Sequence, residues 1–197
     1  LDFVGPLPPD KYGNRWLLTA HDQFTRWPIA IPTKERSAGV VVKHVWQEIV
    51  FKHGPPQVLF SDRESSFVSK AMASICEAFG TSKSNTTGLQ PQANSSLERF
   101  HDFLNQALTI LVNREKDDWG EWVETVLWTY RVSINETTGY SPFYLTYGRE
   151  PRLPLRASLG LVDEEVKKHQ AHYGLQLTEA TRRAYKAAAQ RQQAAQQ

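Results

Sequence analysis

Asp2, Asp62 and Glu98 are the residues of this 197-residue chain best placed to do chemistry. Asp62 follows the apolar run Val58-Leu59-Phe60, so it is expected just past the carboxyl end of a buried strand, where open α/β sheets hold their ligands. Glu98 is expected to open an apolar-periodic helix, and Asp2 stands on a short apolar stretch at the start of the chain. Three carboxylates drawn together from two strand ends and a helix repel one another unless cations intervene. The natural reading is therefore a divalent-metal site, with the three side chains converging within a few ångströms over an open groove. Each acid also has a plainer role. An Asp after a strand commonly makes a turn, and a Glu in a first helical turn answers the helix dipole.

The elements that must position these acids follow from local pattern. Leu1 to Val4 reads as a strand ended by Gly5-Pro6, Trp16 to Ala20 as a second and Trp27 to Ile31 as a third, with Pro28 confining the last to an edge or bulge. Ser37 caps a helix with Val41, Val45 and Ile49 on one face, and Gly54-Pro55-Pro56 stops it. The chain returns through Val58-Leu59-Phe60 as a strand that a helical crossover makes parallel to its neighbour. A helix over 69–79 closes at Gly80, and a short strand is expected within 81–87. Residues 88–95 read as a loop beside the site. From Ser96 the spacing of Leu97, Phe100, Leu104, Leu108 and Leu111 predicts a helix with a buried stripe, and another follows Asp118 with Trp122, Val126 and Tyr130 on one face. Residues 149–160 read as linker. The Ala-, Gln-, Lys- and Arg-rich stretch from Asp163 to Gln197 reads as a long exposed helix. Periodicity alone supports a mixed α/β layer fold.

Composition narrows the class without naming a partner. A net charge of +2 with 22% charged residues does not announce a nucleic-acid binder, although a basic patch on one face stays open. Cys76, the one cysteine, excludes an internal disulfide and is expected in the core between Ile75 and Phe79. No apolar run approaches the roughly 20 residues that span a bilayer. The six histidines show no ligand spacing; His169 and His172 stand one turn apart, with no third ligand. Trp119, Trp122 and Trp128 are expected to pack a core or a dimer interface rather than stack on bases. The absence of an initiator Met and a start inside a strand pattern suggest a piece of a longer polyprotein.

The spans Leu1-Asp2-Phe3-Val4-Gly5-Pro6-Leu7-Pro8, Asp22-Gln23-Phe24-Thr25-Arg26-Trp27, Ser61-Asp62-Arg63 and Pro91-Gln92-Ala93-Asn94 with Glu98-Arg99 closely resemble the catalytic core of retroviral and gypsy-type LTR-retrotransposon integrases. Asp118-Trp119 and the stretch Ser141-Pro142-Phe143-Tyr144-Leu145-Thr146-Tyr147-Gly148 are similar to that family too. The resemblance covers roughly residues 1–155, which it marks as the core domain, with 156–197 as linker and helical extension. It implies a ribonuclease H-like five-stranded mixed sheet flanked by helices. It also implies a polynucleotidyl transferase that trims retroelement DNA ends and joins them to target DNA. Asp2, Asp62 and Glu98 would be both the catalytic residues and the ligands of two Mg²⁺ or Mn²⁺ ions. Asp2 would bridge both ions, and no protein nucleophile is needed. DNA and further copies of the chain are the implied partners, without a membrane. The implied setting is the host nucleus, reached through a cytoplasmic virus-like particle or polyprotein.

The resemblance separates Asp22 from the triad: it matches a recurring turn-forming acid, read as an Asx-type turn before Trp27. Several positions depart from the family pattern. Leu89 and Gln90 replace an aromatic-His pair, Ser95 replaces the Gly of a mobile loop, Glu64 a frequent Gly and His101 a common Asn. Asp102 and Asn105 stand where retroviral relatives place DNA-contacting lysines. Arg63, Lys70, Gln92, Asn94, Arg99 and Arg131 carry groups able to hold phosphates without reading sequence. Two other readings stay open: a decayed or host-adopted core acting as a non-catalytic nucleic-acid- or protein-binding module, and another ribonuclease H-like nuclease or transposase.

Overall fold

A computed structural model of the chain describes residues 1–62, 64–85, 91–152 and 170–195; for Asn85, residues 91–94 and residues 170–179 it describes the backbone alone. The chain divides into two compact units, one of Leu1–His21 with Pro28–Leu127, the other of Asp22–Trp27 with Trp128–Gln197. The boundary expected between residues 155 and 156 falls outside the described residues.

In the first unit β1 (Asp2–Val4), β2 (Trp16–His21) and β3 (Pro28–Thr33) form an antiparallel meander in that order. Its register sets Asp2 opposite Thr19 and His21 opposite Pro28. β3 is the edge that its prolines require, since neither can donate to a further strand. β4 (Val58–Ser61) and β5 (Ser82–Asn85) pair in parallel through a helical crossover, as such a connection dictates. The amino group of Leu1, directly ahead of β1, donates to the Phe60 carbonyl of β4 at 2.6 Å and brings the two sheets side by side. The result is the five-strand mixed α/β arrangement expected from the sequence. Gly5 ends β1 at φ +132°, where a β-carbon would meet the Arg15 carbonyl at 2.7 Å; only glycine fits this turn.

The helices confirm most of the capping signals. Ser37 accepts from the Val40 N–H at the start of α1 (Ala38–His44), and Gly54 at φ 85° ends the helical run. Between them the helix widens into a π-helical stretch, Val45–Val50, before α2 (Phe51–His53). The four-residue spacing of apolar side chains does not encode that widening. Ser69 caps α3 (Lys70–Ala78), and Gly80 follows at φ 65°. Leu18, Val41, Val45, Leu59, Phe67, Met72 and Cys76 form one core, with Cys76 buried as anticipated.

Three expectations need correcting. First, residues 91–95 are not loop: α4 runs from Pro91 to Leu111, so Glu98 lies at the end of its second turn rather than opening it. Proline at a first helical position loses no hydrogen bond, and the polar residues after it show no apolar period to reveal the helix. Phe100, Leu104 and Leu108 are buried, but Leu111 at the far end is exposed. Second, α5 (Trp119–Val132) buries Trp119, Val123, Val126 and Leu127, so its inner face is rotated from the Trp122–Val126–Tyr130 line. Trp119 donates to the Pro8 carbonyl at 2.9 Å, which draws that face toward the long β1–β2 loop.

The third correction lies in the second unit. There α6 (Pro142–Tyr147) is capped by Ser141 and ended by Gly148 in the left-handed region. The terminal helix α7 (Gln170–Ala194) is not wholly exposed: Ala184 and Ala188 are buried with Leu145 of α6. The Tyr185 hydroxyl donates to the Leu145 carbonyl at 2.6 Å, and the Gln192 amide to the Phe24 carbonyl at 2.8 Å. Alanine's small side chain permits this close approach and leaves no amphipathic signature in the sequence.

Candidate active site

Asp2 is carried by β1, and its geometry is set by backbone and neighbours together. Its Oδ1 accepts the Phe3 N–H at 2.7 Å, and its Oδ2 faces His101 Nδ1 at 3.9 Å. Asp62 directly follows β4, where the Glu64 N–H donates to its Oδ1 at 3.0 Å and the Ser61 hydroxyl to its carbonyl at 3.1 Å. Glu64 pairs with Arg36 at 3.3 Å and accepts from the Ser66 hydroxyl, so this loop is braced from both sides. Glu98 is exposed on α4.

The acids act in pairs on two neighbouring groups. Burial lowers the pKa of the Leu1 amine to about 6, with the carboxylates of Asp2 and Asp62 both opposing the shift. Burial likewise holds His101 below its ordinary value, while Asp2, Asp102 and Glu98 pull the other way. One amine thus feels Asp2 and Asp62, and one imidazole feels Asp2 and Glu98. Among the described residues, no three His, Cys, Asp or Glu side chains stand close enough together to hold a metal ion. The donor types suit Mg²⁺ or Mn²⁺, since hard carboxylate oxygens from several elements leave room for water and phosphate on the ion.

The other candidates are dispersed. Asp22 behaves as a turn residue: its Oδ1 accepts from the N–H groups of Phe24 and Thr25 and from the Thr25 hydroxyl. Arg99 lies exposed beside Glu98, and Asp102 and Asn105 continue the exposed side of α4. Lys70 is exposed at the start of α3. Arg131, in the second unit, stacks over Trp27 at 4.7 Å. Arg63 lies outside the described residues, as do Leu89 and Gln90; Gln92 and Asn94 are described by backbone alone, on the first turn of α4. Ser95 belongs to α4 rather than to a loop. His169 lies outside the described residues, and His172 is described by backbone alone.

Two residues beside Asp2 make a contact that the sequence hid. Thr19, fully buried on β2, contacts both the Asp2 carbonyl, at 3.0 Å, and His101 Nε2, at 2.9 Å. The available signal was the three-residue step from Glu98 to His101, which puts both on one helix face. Thr19 could be found only once the strand register was known.

The integrase core domain family model matches residues 1–91. The retrovirus-related Pol polyprotein from transposon 412 of Drosophila melanogaster is 25% identical over 154 residues, 78% of this chain and 12% of that protein. The Gag-Pol polyprotein of feline leukemia virus is 32% identical over 152 residues, 77% of this chain and 9% of that protein. The chain therefore spans only about a tenth of these curated relatives. In fold it is similar to the HTLV-2 integrase catalytic core domain in complex with magnesium, with a TM-score of 0.53 and 17% identity over 67% of this chain and 84% of that one. In sequence and in fold, this chain resembles the catalytic core domain of retroviral and retrotransposon integrases.

Proposed function

We propose that the chain is the catalytic core of a metal-dependent polynucleotidyl transferase that trims retroelement DNA ends and joins them to target DNA. The observation that supports this most is geometric: the Leu1–Phe60 bond sets the strand of Asp2 beside the strand that Asp62 follows, and His101, on the helix that carries Glu98, faces Asp2 at 3.9 Å. Their occurrence inside spans that resemble integrase cores adds to it.

Asp2, Asp62 and Glu98 would hold two Mg²⁺ or Mn²⁺ ions. Bound there, such ions supply Lewis-acid stabilisation of the charge that builds on phosphate oxygens and lower the pKa of an attacking hydroxyl. The chain's own residues do the positioning. β1 and the β4 end hold two carboxylates from adjoining sheets linked by the Leu1–Phe60 bond, the Arg36–Glu64 pair braces the Asp62 loop, and α4 presents the third acid beside the cationic Arg99. Arg63, Lys70, Gln92, Asn94 and Arg99 serve as phosphate contacts, which orient DNA without reading its bases. The nucleophile is water in trimming and the DNA 3′-hydroxyl in joining. Working on paired DNA ends calls for more than one copy of the chain, and the setting is the host nucleus.

The deciding experiment is Mn²⁺-dependent joining of a short duplex carrying element ends, comparing the chain with its Asp62→Asn variant. Joining by the parent and none by Asp62→Asn is expected. Joining untouched by the substitution rejects the site, and a folded parent that binds DNA without joining it supports the non-catalytic module instead.

A further inference from the structure

Thr19 and His101 lie outside the acid triad, yet they connect the elements that carry two of its members. Thr19 is fully buried, and a buried hydroxyl needs partners. It has one proton and stands 3.0 Å from the Asp2 carbonyl. The same hydroxyl stands 2.9 Å from His101 Nε2, with the donor set by the imidazole tautomer. His101 Nδ1 faces Asp2 Oδ2 at 3.9 Å, beyond hydrogen-bond distance. The His101 side chain is only 14% exposed, so the ring has little freedom to leave this geometry. One turn back on the same helix face stands Glu98.

We propose that Thr19 and His101 are positioning residues that tie β1 to α4 through one hydroxyl, and so set the separation between the Asp2 and Glu98 carboxylates for cation binding. The inference rests on the metal-site reading above. Partners that orient metal ligands are commonly worth about 10–100-fold in affinity, which gives the scale of the effect. Thr19→Val keeps the shape of the side chain but removes both bonds. Thr19→Ser keeps the hydroxyl, and His101→Ala removes the ring from the helix side.

The test is Mn²⁺ binding to the full chain, read from the electron paramagnetic resonance of the free ion, alongside thermal melting without metal. Thr19→Val and His101→Ala are expected to weaken Mn²⁺ binding about tenfold or more, with Thr19→Ser close to the parent. Asp62→Asn, which touches neither residue, serves as the reference for the site itself. Parent-like binding by folded Thr19→Val or His101→Ala, with binding by Asp62→Asn weakened, overturns the inference and leaves the metal site standing. Parent-like binding by Asp62→Asn overturns both. A fall in melting temperature with unchanged Mn²⁺ affinity identifies a merely structural link and also overturns the inference. Should Thr19→Val fail to fold, His101→Ala decides.

Discussion

Glu98→Gln tells a ligand apart from an ordinary helix residue. Glu98 is seven positions beyond Pro91, exposed, and makes no hydrogen bond or ion pair with the described residues. A carboxylate stabilises a helix by about 0.3–1 kcal/mol through the dipole, but that effect fades within the first turn. Glu and Gln have nearly equal helix propensity, so the substitution should change stability by less than about 0.5 kcal/mol. For a chain of this size that is a shift of about 2 °C at most in melting temperature. Activity should respond quite differently. Removing a ligand forfeits several kcal/mol of charge stabilisation, and at about 1.36 kcal/mol per decade the joining rate should fall at least about a hundredfold. Thermal melting and Mn²⁺-dependent joining on the same preparation check both halves. A drop in melting temperature beyond about 4 °C, or joining at the parent rate, would refute the role assigned to Glu98.

Other consequences can be measured separately. Ala188 has no exposed surface, so Ala188→Leu should cost about 1–3 kcal/mol by overpacking and speed amide exchange in α7, while Gln190→Leu on its exposed side should not; equal exchange in the two variants would show that α7 is not docked on α6. Burial raises the Cys76 thiol above its ordinary value, so a disulfide reagent at pH 8 should label it only after denaturant is added, and rapid labelling of the native chain would contradict that burial. The Leu1 amine falls from 8.0 to about 6 on folding. The unfolded chain therefore binds more protons between those values, and stability should rise by about 2–3 kcal/mol from pH 6 to pH 8 and level off outside that window. A chain with one residue added ahead of Leu1 keeps an N–H for Phe60 but no buried charge, so its denaturation midpoint should lack that rise; the same rise in both chains would exclude the amine as its source.

What could be read from the sequence was whatever depended on near neighbours. Ser37 and Ser69 cap helices through atoms three residues on, Gly54 and Gly80 end them, Asp22 closes its own turn, and Cys76 lies within an apolar helix face. What escaped depended on distant or missing signals. Pro91 to Ser95 have no apolar period, so local pattern does not reveal the first turn of α4, although a proline suits that position. Ala184 and Ala188 read as neutral helix formers, and only the approach of Leu145 shows that they are buried. The bond between Thr19 and His101 joins residues 82 apart in sequence and follows from strand register, which no local pattern specifies.

A helix that begins at Pro91 limits how the Glu98 carboxylate can be repositioned. A Glu98 at a loop–helix junction could swing toward the other acids by rearranging a few loop dihedrals. A Glu98 two turns inside a helix cannot, because its backbone is held by hydrogen bonds on both sides. Its carboxylate can therefore be repositioned only by side-chain rotation or by a shift of α4 as a body. Phe100 and Leu104 are buried at 0% exposure just beyond Glu98, so a large shift of α4 would disturb packed side chains. Cation affinity should accordingly depend on how nearly Asp2 and Glu98 are in place beforehand, which is the distance that Thr19 and His101 govern. Replacing Ser95 with glycine would loosen the second turn of α4 by about 0.5 kcal/mol, a helix-interior cost that a loop residue would not show. Such a loss of stability in Ser95→Gly is therefore the sign that α4 begins before Glu98; no loss would return that residue to a loop.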